Sequence, residues 1–512
     1  MPSTFSKILS SELEGINAHL IDVETDVHVG LHSFTIVGLA DKALSESKER
    51  INSALKNIGI KPPAQENRRI TVNLAPADIK KTGSQYDLPI AIGYLLSTDQ
   101  LRPKRAIGLM VGELALDGGI RKINGALSFA QCALANGQEE IIVPAGNAEE
   151  AAMIPGLRVF PVKTLRQVID FLEKKIHLAP QAQTQPIQEE PPFIQFSEIK
   201  GNENAKRALM IAAAGGHNLL MTGPPGTGKT MLAQALASIL PKPTHSEIIE
   251  ITRIHSAANL LGNKPFIAHR PFRALHQSAS VAAVLGGGTN PRPGEISLAH
   301  RGILFLDELP EFRRDLLESL RQPLESGQAV VTRVKNNLVF PARFTLVSAM
   351  NPCPCGYYQD EEKACSCSMN QIMRYQKKIS GPLLDRIDIQ ISVPRVSLSE
   401  LQNKEENPEL MAQTREKIES ARARQKERFK NISKKKNIYT NNEMSSKDVD
   451  QLVSLSPEVE GYLRQIFEKS FISARGYYRI LKTARTIADI DGQEDISLAN
   501  VKEAFSFRLR EN

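Results

Sequence analysis

The chain has 512 residues, of which 41% are hydrophobic and 24% charged, a composition typical of a globular protein in water. This length exceeds what one hydrophobic core can organise, so we expect two to four domains. No apolar run approaches the roughly 18 residues of a membrane span, and the N-terminus lacks the apolar core of a secretory signal. We therefore expect a cytoplasmic protein without a membrane partner. The net charge of +7 permits nucleic-acid contact but does not establish it.

Residues 1–178 alternate strand-like and helix-like segments, which predicts a mixed α/β domain. The stretch "RRITVNLAP" has β-branched residues, a hydrophobic period near two and a closing proline, as strands do. The stretch "DKALSESKERINSALKNIG" is typical of a helix that ends at Gly59. Residues 179–195 are rich in proline and glutamine, so we predict a linker that separates this domain from the rest.

The predicted ATPase core, residues 196–394, contains a P-loop motif. "GPPGTGKT" matches G-x-x-x-x-G-K-[ST], follows an apolar strand and precedes a helix, the context this motif requires. Glycines let the loop amides face phosphate oxygens, the lysine supplies a positive charge, and the threonine hydroxyl can bind Mg²⁺. We predict ATP and Mg²⁺ as cofactors. The predicted nucleotide-binding residues are Gly223, Pro224, Pro225, Gly226, Thr227, Gly228, Lys229, Thr230 and Met231.

Two further predicted strands end in polar residues. "GILFLDEL" predicts a buried strand that presents Asp307 to Mg²⁺, together with Thr230, and Glu308 to the attacking water. The two carboxylates could also be ordinary helix-capping residues, but the apolar run before them favours catalysis. "ARFTLVSAMN" ends at Asn351, which is either a polar group beside the γ-phosphate or a turn residue before Pro352.

Four of the five cysteines lie within residues 351–370, as two C-x-C pairs. An odd number of cysteines in a cytosolic protein argues against a disulfide framework. Four thiolates suit a closed, tetrahedral structural Zn²⁺ site, and the alternative is a set of reduced loop thiols. We predict a structural zinc loop. Its predicted ligands are Cys353, Cys355, Cys365 and Cys367.

Three basic features are candidates for DNA contact. "VVTRVKNNLVF" predicts a hairpin whose tip carries Lys335, either a phosphate contact or an ordinary exposed lysine. Arg292 lies in the neighbouring "GGGTNPRPG" stretch. Residues 415–436 hold ten Lys/Arg and three Glu, which indicates a solvated helix face and loop or a phosphate-contacting surface. Residues 395–512 as a whole have helical periodicity.

The order of "GPPGTGKT", "GGGTNPRPGEISLAHRGILFLDELPEF", "SAMNPCPCG", "SGPLLDRID" and "SARGYYRILKTARTIADI" resembles the magnesium-chelatase-like AAA+ ATPases of the ComM (YifB) group. The N-terminal phrase "FTIVGLADKALSESKERINSAL" extends the resemblance over nearly the whole chain. The resemblance implies an AAA+ core, a helical lid or magnesium-chelatase-like domain at 395–512 and a Lon-protease-like fold for 1–178. It also implies a homo-hexameric ring that acts as a helicase or branch-migration motor on single-stranded and branched DNA in natural transformation. For such a motor, we expect Cys→Ser changes in the zinc loop to impair DNA binding or ring activity more than nucleotide binding.

The same resemblance implies roles for individual residues. Asn351 would be the sensor-1 residue, Arg386 an arginine finger acting on the neighbouring subunit, and Arg475 the sensor-2 arginine of the lid. One departure is "LHQ", where the group usually has Pro-His-His, and it argues against a role for Gln277.

The Lon-like domain lacks the expected protease pair. A Lon-type site needs a serine nucleophile and a lysine base, and the resemblance aligns Gln85 and Leu127 with those positions. Ser84 and Lys122 lie nearby but out of register, so we predict a catalytically inactive domain. The sequence leaves three functions to compare, of which we favour a DNA motor. The first alternative is a chelatase-type ATPase that remodels a protein partner. The second is a regulated protease, which Gln85 and Leu127 disfavour.

Overall fold

The computed structural model describes residues 4–39, 41–187, 193–288, 291–332, 337–402, 408–430, 438–469 and 473–508. It divides into two compact units. The first comprises Met1–Ile187 and His245–Ala268, and the second comprises Gln188–Thr244 and His269–Asn512. In the described ranges, no helix combines the length and hydropathy that a bilayer span requires.

The strands, in chain order, are β1 (Phe5–Glu14), β2 (Asn17–Val29), β3 (Ser33–Val37), β4 (Arg68–Ala75), β5 (Leu109–Met110), β6 (Glu113–Leu114), β7 (Ile120–Arg121), β8 (Glu140–Pro144), β9 (Arg158–Val162), β10 (Leu219–Thr222), β11 (Phe272–Leu275), β12 (Gly286–Gly287), β13 (Arg292–Pro293), β14 (Ile303–Leu306), β15 (Gln328–Thr332), β16 (Asn337–Pro341), β17 (Thr345–Met350) and β18 (Ile389–Ser392).

The α-helices, in chain order, are α1 (Lys42–Asn57), α2 (Asp87–Ser97), α3 (Ala126–Ala135), α4 (Ala148–Ala151), α5 (Leu165–Leu172), α6 (Glu203–Gly215), α7 (Lys229–Ile239), α8 (His245–Ala257), α9 (Val281–Leu285), α10 (Glu295–Leu298), α11 (Arg314–Ser319), α12 (Arg321–Ser326), α13 (Met369–Gln376), α14 (Gly381–Leu384), α15 (Leu398–Gln402), α16 (Pro408–Phe429), α17 (Ser446–Leu452), α18 (Pro457–Lys469), α19 (Ala474–Ile490) and α20 (Leu498–Ser506).

The first unit is mixed α/β, as its sequence predicts. One sheet has the order β1-β2-β4-β3, in which only the β3–β4 pair is parallel, and a second, parallel sheet has the order β5-β8-β9. Alternate residues of β4, among them Ile70 and Val72, are buried in the core. Helix α1 begins where the Asp41 carboxylate accepts a hydrogen bond from the backbone of Leu44. It ends two residues before Gly59, close to its predicted end.

Helix α8 and the residues up to Ala268 pack within the first unit, although the sequence places them in the ATPase core. Ile248 lies in that unit's hydrophobic core. The Ser256 hydroxyl donates to Glu150 at 2.5 Å and accepts from the backbone N–H of Gly125 at 2.9 Å. These apolar and buried polar contacts are made inside the first unit, so residues 245–268 belong to that unit although they lie within the range predicted for the ATPase core.

The second unit is built on a parallel sheet of order β11-β14-β17-β10-β18. Every residue of β14 and β17 is buried, the continuous apolar pattern of parallel strands that are covered on both faces. The carboxyl ends of parallel strands meet at one edge of a sheet, where α/β proteins bind ligands. The phosphate loop, Asp307, Asn351 and the residues after β11 therefore converge at that edge.

The C-terminal part of the second unit is helical, as predicted, and its longest described helices are α16 and α19. The described part of the basic run, residues 415–430, is mixed, because its lysines, Lys417, Lys426 and Lys430, are exposed while its arginines bind acceptors elsewhere in the unit. Four guanidiniums donate to acceptors inside the unit: Arg415 to the Ser238 carbonyl, Arg422 to the Ala213 carbonyl, Arg424 to the Asp489 carbonyl and Arg428 to the Asp489 carboxylate. Residues 431–436 of the run lie outside the described residues.

Candidate nucleotide site and cysteine cluster

The phosphate loop joins β10 to α7 and folds around its own lysine. Gly226 and Gly228 both have a φ of +80°, a left-handed conformation that favours glycine. The Lys229 ammonium donates to the carbonyls of Gly223 and Pro224 at 2.7 Å each. Burial lowers the pKa of Lys229, and the nearby carboxylates of Asp307 and Glu308 oppose that shift. A positive charge is thus held inside a glycine loop at a helix N-terminus, an arrangement suited to a polyphosphate.

A hydroxyl and a carboxylate meet beside this loop. The Thr230 hydroxyl donates to Asp307 Oδ2 at 2.8 Å, although the two residues are 77 positions apart. Oxygen donors of this kind are the ligands that Mg²⁺ takes in nucleotide sites, so the pair fits the ion. Glu308 follows with a φ of +52°, and its backbone N–H donates to Asp307 Oδ1. This uncommon conformation turns the chain sharply after β14.

Asn351 completes the group at the end of β17. Its side-chain oxygen accepts from Lys229 at 3.3 Å, so the residue does more than precede a proline in a turn. The Gly223 N–H donates to the Met350 carbonyl at 3.2 Å, which ties the loop to the same strand. The structure therefore brings together five of the residues predicted for this site: Lys229, Thr230, Asp307, Glu308 and Asn351. Met231, also predicted here, is partly exposed on α7.

Gln277 corrects the interpretation of the "LHQ" departure. Its side-chain amide donates to Glu308 Oε2 at 2.5 Å, which places it at the site. The pairing of the strands explains this contact, because Leu275 of β11 lies in register with Leu306 of β14. Gln277 and Glu308 each lie two positions beyond these partners and are therefore neighbours. The sequence does not reveal the contact, because it does not show which strands pair.

The two predicted arginines lie apart from this group and beside each other. Arg386 and Arg475 donate to the same oxygen of Glu325, at 2.8 and 3.0 Å. The Arg386 side chain is 4% exposed and that of Arg475 is 60% exposed. Among the described residues, neither guanidinium has a hydrogen bond to the group around Lys229. Sequence reasoning missed Glu325, which no motif marks.

A buried ion pair fixes the helix that carries Arg475. The Arg479 guanidinium, one turn further along α19, donates to the buried Asp388 carboxylate. Asp388 also accepts from the backbone N–H of Asn218 beside β10. Burial opposes ionisation of Asp388, but Arg479 and His217 hold the pKa of this carboxyl well below its usual range. The pair thus sets the position of Arg475 relative to the sheet.

Of the two residues predicted to contact DNA, Lys335 and Arg292, the structure describes only Arg292. Lys335 lies outside the described residues, but β15 and β16 pair antiparallel on either side of it, as a hairpin requires. Arg292 is exposed on β13, which pairs with the Gly286–Gly287 strand.

The four clustered cysteines converge on one point. All four sulfur atoms lie within 4.8 Å of one another, and three of the pairs are separated by 3.3, 3.5 and 3.7 Å. Tetrahedral zinc with Zn–S bonds of about 2.3 Å places its sulfurs about 3.8 Å apart. Backbone N–H groups of Tyr358 and Cys355 donate to the sulfurs of Cys353 and Cys367. Both the geometry and these supporting hydrogen bonds fit a tetrahedral thiolate metal site.

The positions aligned with a protease pair form no such pair. Gln85 donates its amide to Glu12 and to the Thr82 carbonyl, and Leu127 is fully buried in the core. The Ser84 hydroxyl donates to Glu113, and the Lys122 ammonium donates to the Gly262 carbonyl at 3.0 Å. Serine and lysine are thus engaged with different partners.

Comparison with known proteins places this geometry in a family. Family models described as subunit ChlI of Mg-chelatase, magnesium chelatase subunit ChlI, and its C-terminal part match residues 23–147, 195–401 and 408–508. Competence protein ComM of Haemophilus influenzae is 43% identical, over 96% of this chain and 95% of its own length. The chain belongs to the ComM/YifB group of magnesium-chelatase-like AAA+ ATPases.

Other relatives show how far the family likeness extends. YifB of Escherichia coli, an uncharacterized protein, is 41% identical over 96% of this chain and 95% of its own length. The magnesium-chelatase 38 kDa subunit of Rhodobacter capsulatus is 31% identical, over 31% of this chain and 51% of its own length. ComM/YifB proteins therefore share nearly the whole chain, whereas this chelatase subunit shares less than a third of it.

Proposed function

We propose that this ComM/YifB protein is an ATP-dependent DNA motor, a helicase or branch-migration ATPase that acts on single-stranded and branched recombination intermediates in natural transformation. The observation that carries the proposal is the convergence of Lys229, Thr230, Asp307, Glu308 and Asn351 at one sheet edge. Support for the DNA substrate comes from the 43% identity to a competence protein over 96% of the chain.

Each side chain at this edge has a part in ATP hydrolysis. Lys229 neutralises the β- and γ-phosphates, while Thr230 and Asp307 hold Mg²⁺. The ion, when bound, offsets the charge that develops on the transferred phosphoryl group. Glu308 orients and polarises the attacking water, and Asn351 fixes its position relative to the γ-phosphate.

Turnover is completed by a neighbouring subunit in a homo-hexameric ring. Arg386 of one subunit stabilises charge on the nucleotide of the next, as arginine fingers do, and Arg475 acts as the sensor-2 arginine of the helical lid. Support comes from their position side by side on Glu325. Hydrolysis then moves the hairpin that carries Lys335, and the neighbouring Arg292, along the phosphate backbone.

Two further assignments belong to this proposal. Cys353, Cys355, Cys365 and Cys367 hold a structural Zn²⁺, supported by the mutual approach of their sulfurs. The N-terminal unit is a catalytically inactive Lon-protease-like domain that serves assembly or DNA contact. The separate hydrogen-bond partners of Ser84 and Lys122 support its inactivity.

The deciding experiment measures ATP hydrolysis by the full chain alone, with single-stranded DNA and with a four-way junction. We expect DNA to stimulate turnover, and we expect DNA binding to weaken as salt rises, because each Lys/Arg–phosphate contact releases counterions. Glu308→Gln serves as the control, since it should keep ATP binding and abolish turnover. Absence of both stimulation and DNA binding at low salt would contradict the proposal.

A second candidate is a chelatase-type ATPase that remodels a protein partner, favoured by family models of the magnesium chelatase subunit along most of the chain. It predicts hydrolysis that is insensitive to DNA. The same assay therefore separates the two functions.

A further inference from the structure

The cysteine cluster packs directly against the phosphate loop. Gly356 lies between the two C-x-C pairs, has a φ of +88° and donates its N–H to the Cys353 carbonyl at 3.0 Å. A Cβ added at Gly356 would lie 2.8 Å from Pro225 Cδ and 3.3 Å from Pro225 Cγ. These distances leave no room for a side chain, so the backbone of the cysteine loop forms one wall of the phosphate loop.

A second connection runs along the chain. Asn351, which accepts from Lys229, is only two residues before Cys353, whose side chain is fully buried. Between them, the Pro352 carbonyl accepts from the Gln376 amide at 3.1 Å. Only two residues of chain therefore separate the Cys353 sulfur from the group that contacts the lysine.

A third connection lies on the other side of the phosphate loop, away from Gly356. The Arg395 guanidinium donates to Asp360 at 3.1 Å and to Glu362 at 3.0 Å, both within the cysteine loop. Two residues earlier, the Val393 carbonyl packs so closely on Gly223 that a Cβ there would collide with it. The phosphate loop thus lies between the cysteine loop and residues 393–395, and Arg395 joins the two.

We propose that metal bound by the four cysteines positions the phosphate loop, so that metal occupancy sets the affinity for nucleotide. Residues 352–367, all of them described, contain no helix or strand, so sulfur–metal bonds would act together with the Arg395 contacts in holding the loop in place. This inference rests on the proposed nucleotide site and adds its regulation. It also opposes the sequence-based expectation for the Cys→Ser changes, because the described contacts of the cysteine loop lead to the nucleotide site.

Zinc removal from the full chain is the first test. Metal content is measured by mass spectrometry, and equilibrium binding is measured with a fluorescent ADP derivative, a readout that needs no turnover. We expect one zinc per chain, an about tenfold weaker Kd after chelation, equivalent to about 1.4 kcal/mol, and recovery when zinc is restored. Unchanged affinity in the zinc-free chain, or a freshly purified chain without zinc, would overturn the inference.

A variant separates metal binding from loop position. Gly356→Ala keeps all four cysteines but forces a methyl group against Pro225, so we expect retained zinc and weakened ADP binding. Gly137→Ala is the matched control, because Gly137 also has a positive φ, +74°, and an added Cβ there meets nothing within 4 Å. Equal ADP affinity of Gly356→Ala and Gly137→Ala would overturn the inference. If the zinc-loaded chain binds no ADP at all, the proposed nucleotide site itself fails, a result distinct from binding that ignores zinc.

Discussion

The Gln277 side-chain amide donates to the Glu308 carboxylate at 2.5 Å, across the paired ends of β11 and β14. A hydrogen bond to a carboxylate oxygen occupies a lone pair and fixes the orientation of the group. Glu308 is the residue proposed to polarise water. Gln277 therefore restrains the Glu308 carboxylate.

Removing this restraint should raise turnover without DNA. In Gln277→Ala the Glu308 carboxylate is free to accept from water, and we expect an increase of up to about tenfold, because a hydrogen bond to a charged group contributes about 1.5 kcal/mol. ADP affinity should not change, since Gln277 has no described bond to Lys229. Phosphate release measures the effect. His276→Ala is the control, because its ring contacts Ser278; equal turnover in both variants would contradict the prediction.

Loss of the Glu325 charge should destabilise the second unit. Glu325→Gln leaves the guanidiniums of Arg386 and Arg475 without their shared carboxylate, and Arg386 is almost fully buried. We expect a loss of about 1–2 kcal/mol in the free energy of unfolding, between the values for exposed and buried pairs. Urea unfolding measures it.

The control for that experiment is Glu427→Gln, which removes a carboxylate paired with Lys430 one helical turn away, where both side chains are exposed. An exposed pair of this kind contributes about 0.5 kcal/mol or less. If both variants unfold at the same urea concentration, Glu325 has no special role in holding the two arginines.

Local patterns predict the features of the nucleotide site that lie within one segment. The apolar strand, glycine loop and helix around Lys229 follow one another in the structure in the predicted order, and Asp307 ends a buried strand as expected. Such features depend on periodicity and on backbone conformations that a short stretch determines. Family resemblance extends the prediction to Asn351, Arg386 and Arg475, whose proposed roles remain to be tested.

Features that depend on distant contacts are absent from the sequence predictions. The bond between Gln277 and Glu308 requires knowledge of which strands are adjacent, and the shared role of Glu325 requires the position of α19 on the sheet. The charge pattern of α16 likewise cannot show that Arg415 and Arg422 donate to backbone carbonyls. Tertiary packing decides all three.

The insertion of α8 into the first unit gives a stability prediction. Ser256→Ala leaves the buried Glu150 carboxyl and the Gly125 N–H without the hydroxyl they share. We expect a loss of about 2 kcal/mol, since buried polar groups that lose a partner cost about 1–3 kcal/mol. Hydrogen exchange of the α3 amides in the full chain reports it. Ser45→Ala, on an exposed face of α1, is the control, and equal α3 protection in the two variants would contradict the prediction.

A buried carboxyl should make the first unit less stable as pH rises. Burial raises the pKa of Glu12 to about 7 from its ordinary value of 4.5, although hydrogen bonds from Tyr86 and Thr82 oppose the shift. Below pH 4.5 the group is protonated in the folded and unfolded chain alike, so its contribution is fully present there. Between pH 4.5 and about 7 the unfolded chain ionises first, and we expect the free energy of unfolding to fall by about 3 kcal/mol.

Glu12→Gln isolates this contribution, because glutamine cannot ionise but keeps an oxygen to accept from Tyr86. The free energy of unfolding of the native chain, minus that of Glu12→Gln, should fall as pH rises through this window and stay level above pH 7. Glu49→Gln removes an exposed carboxylate of the same unit and controls for the loss of one charge. Desolvation is the cause of the raised pKa of Glu12. If the difference in unfolding free energy between the native chain and Glu12→Gln stays constant from pH 4.5 to 7, water must reach Glu12 in the folded protein.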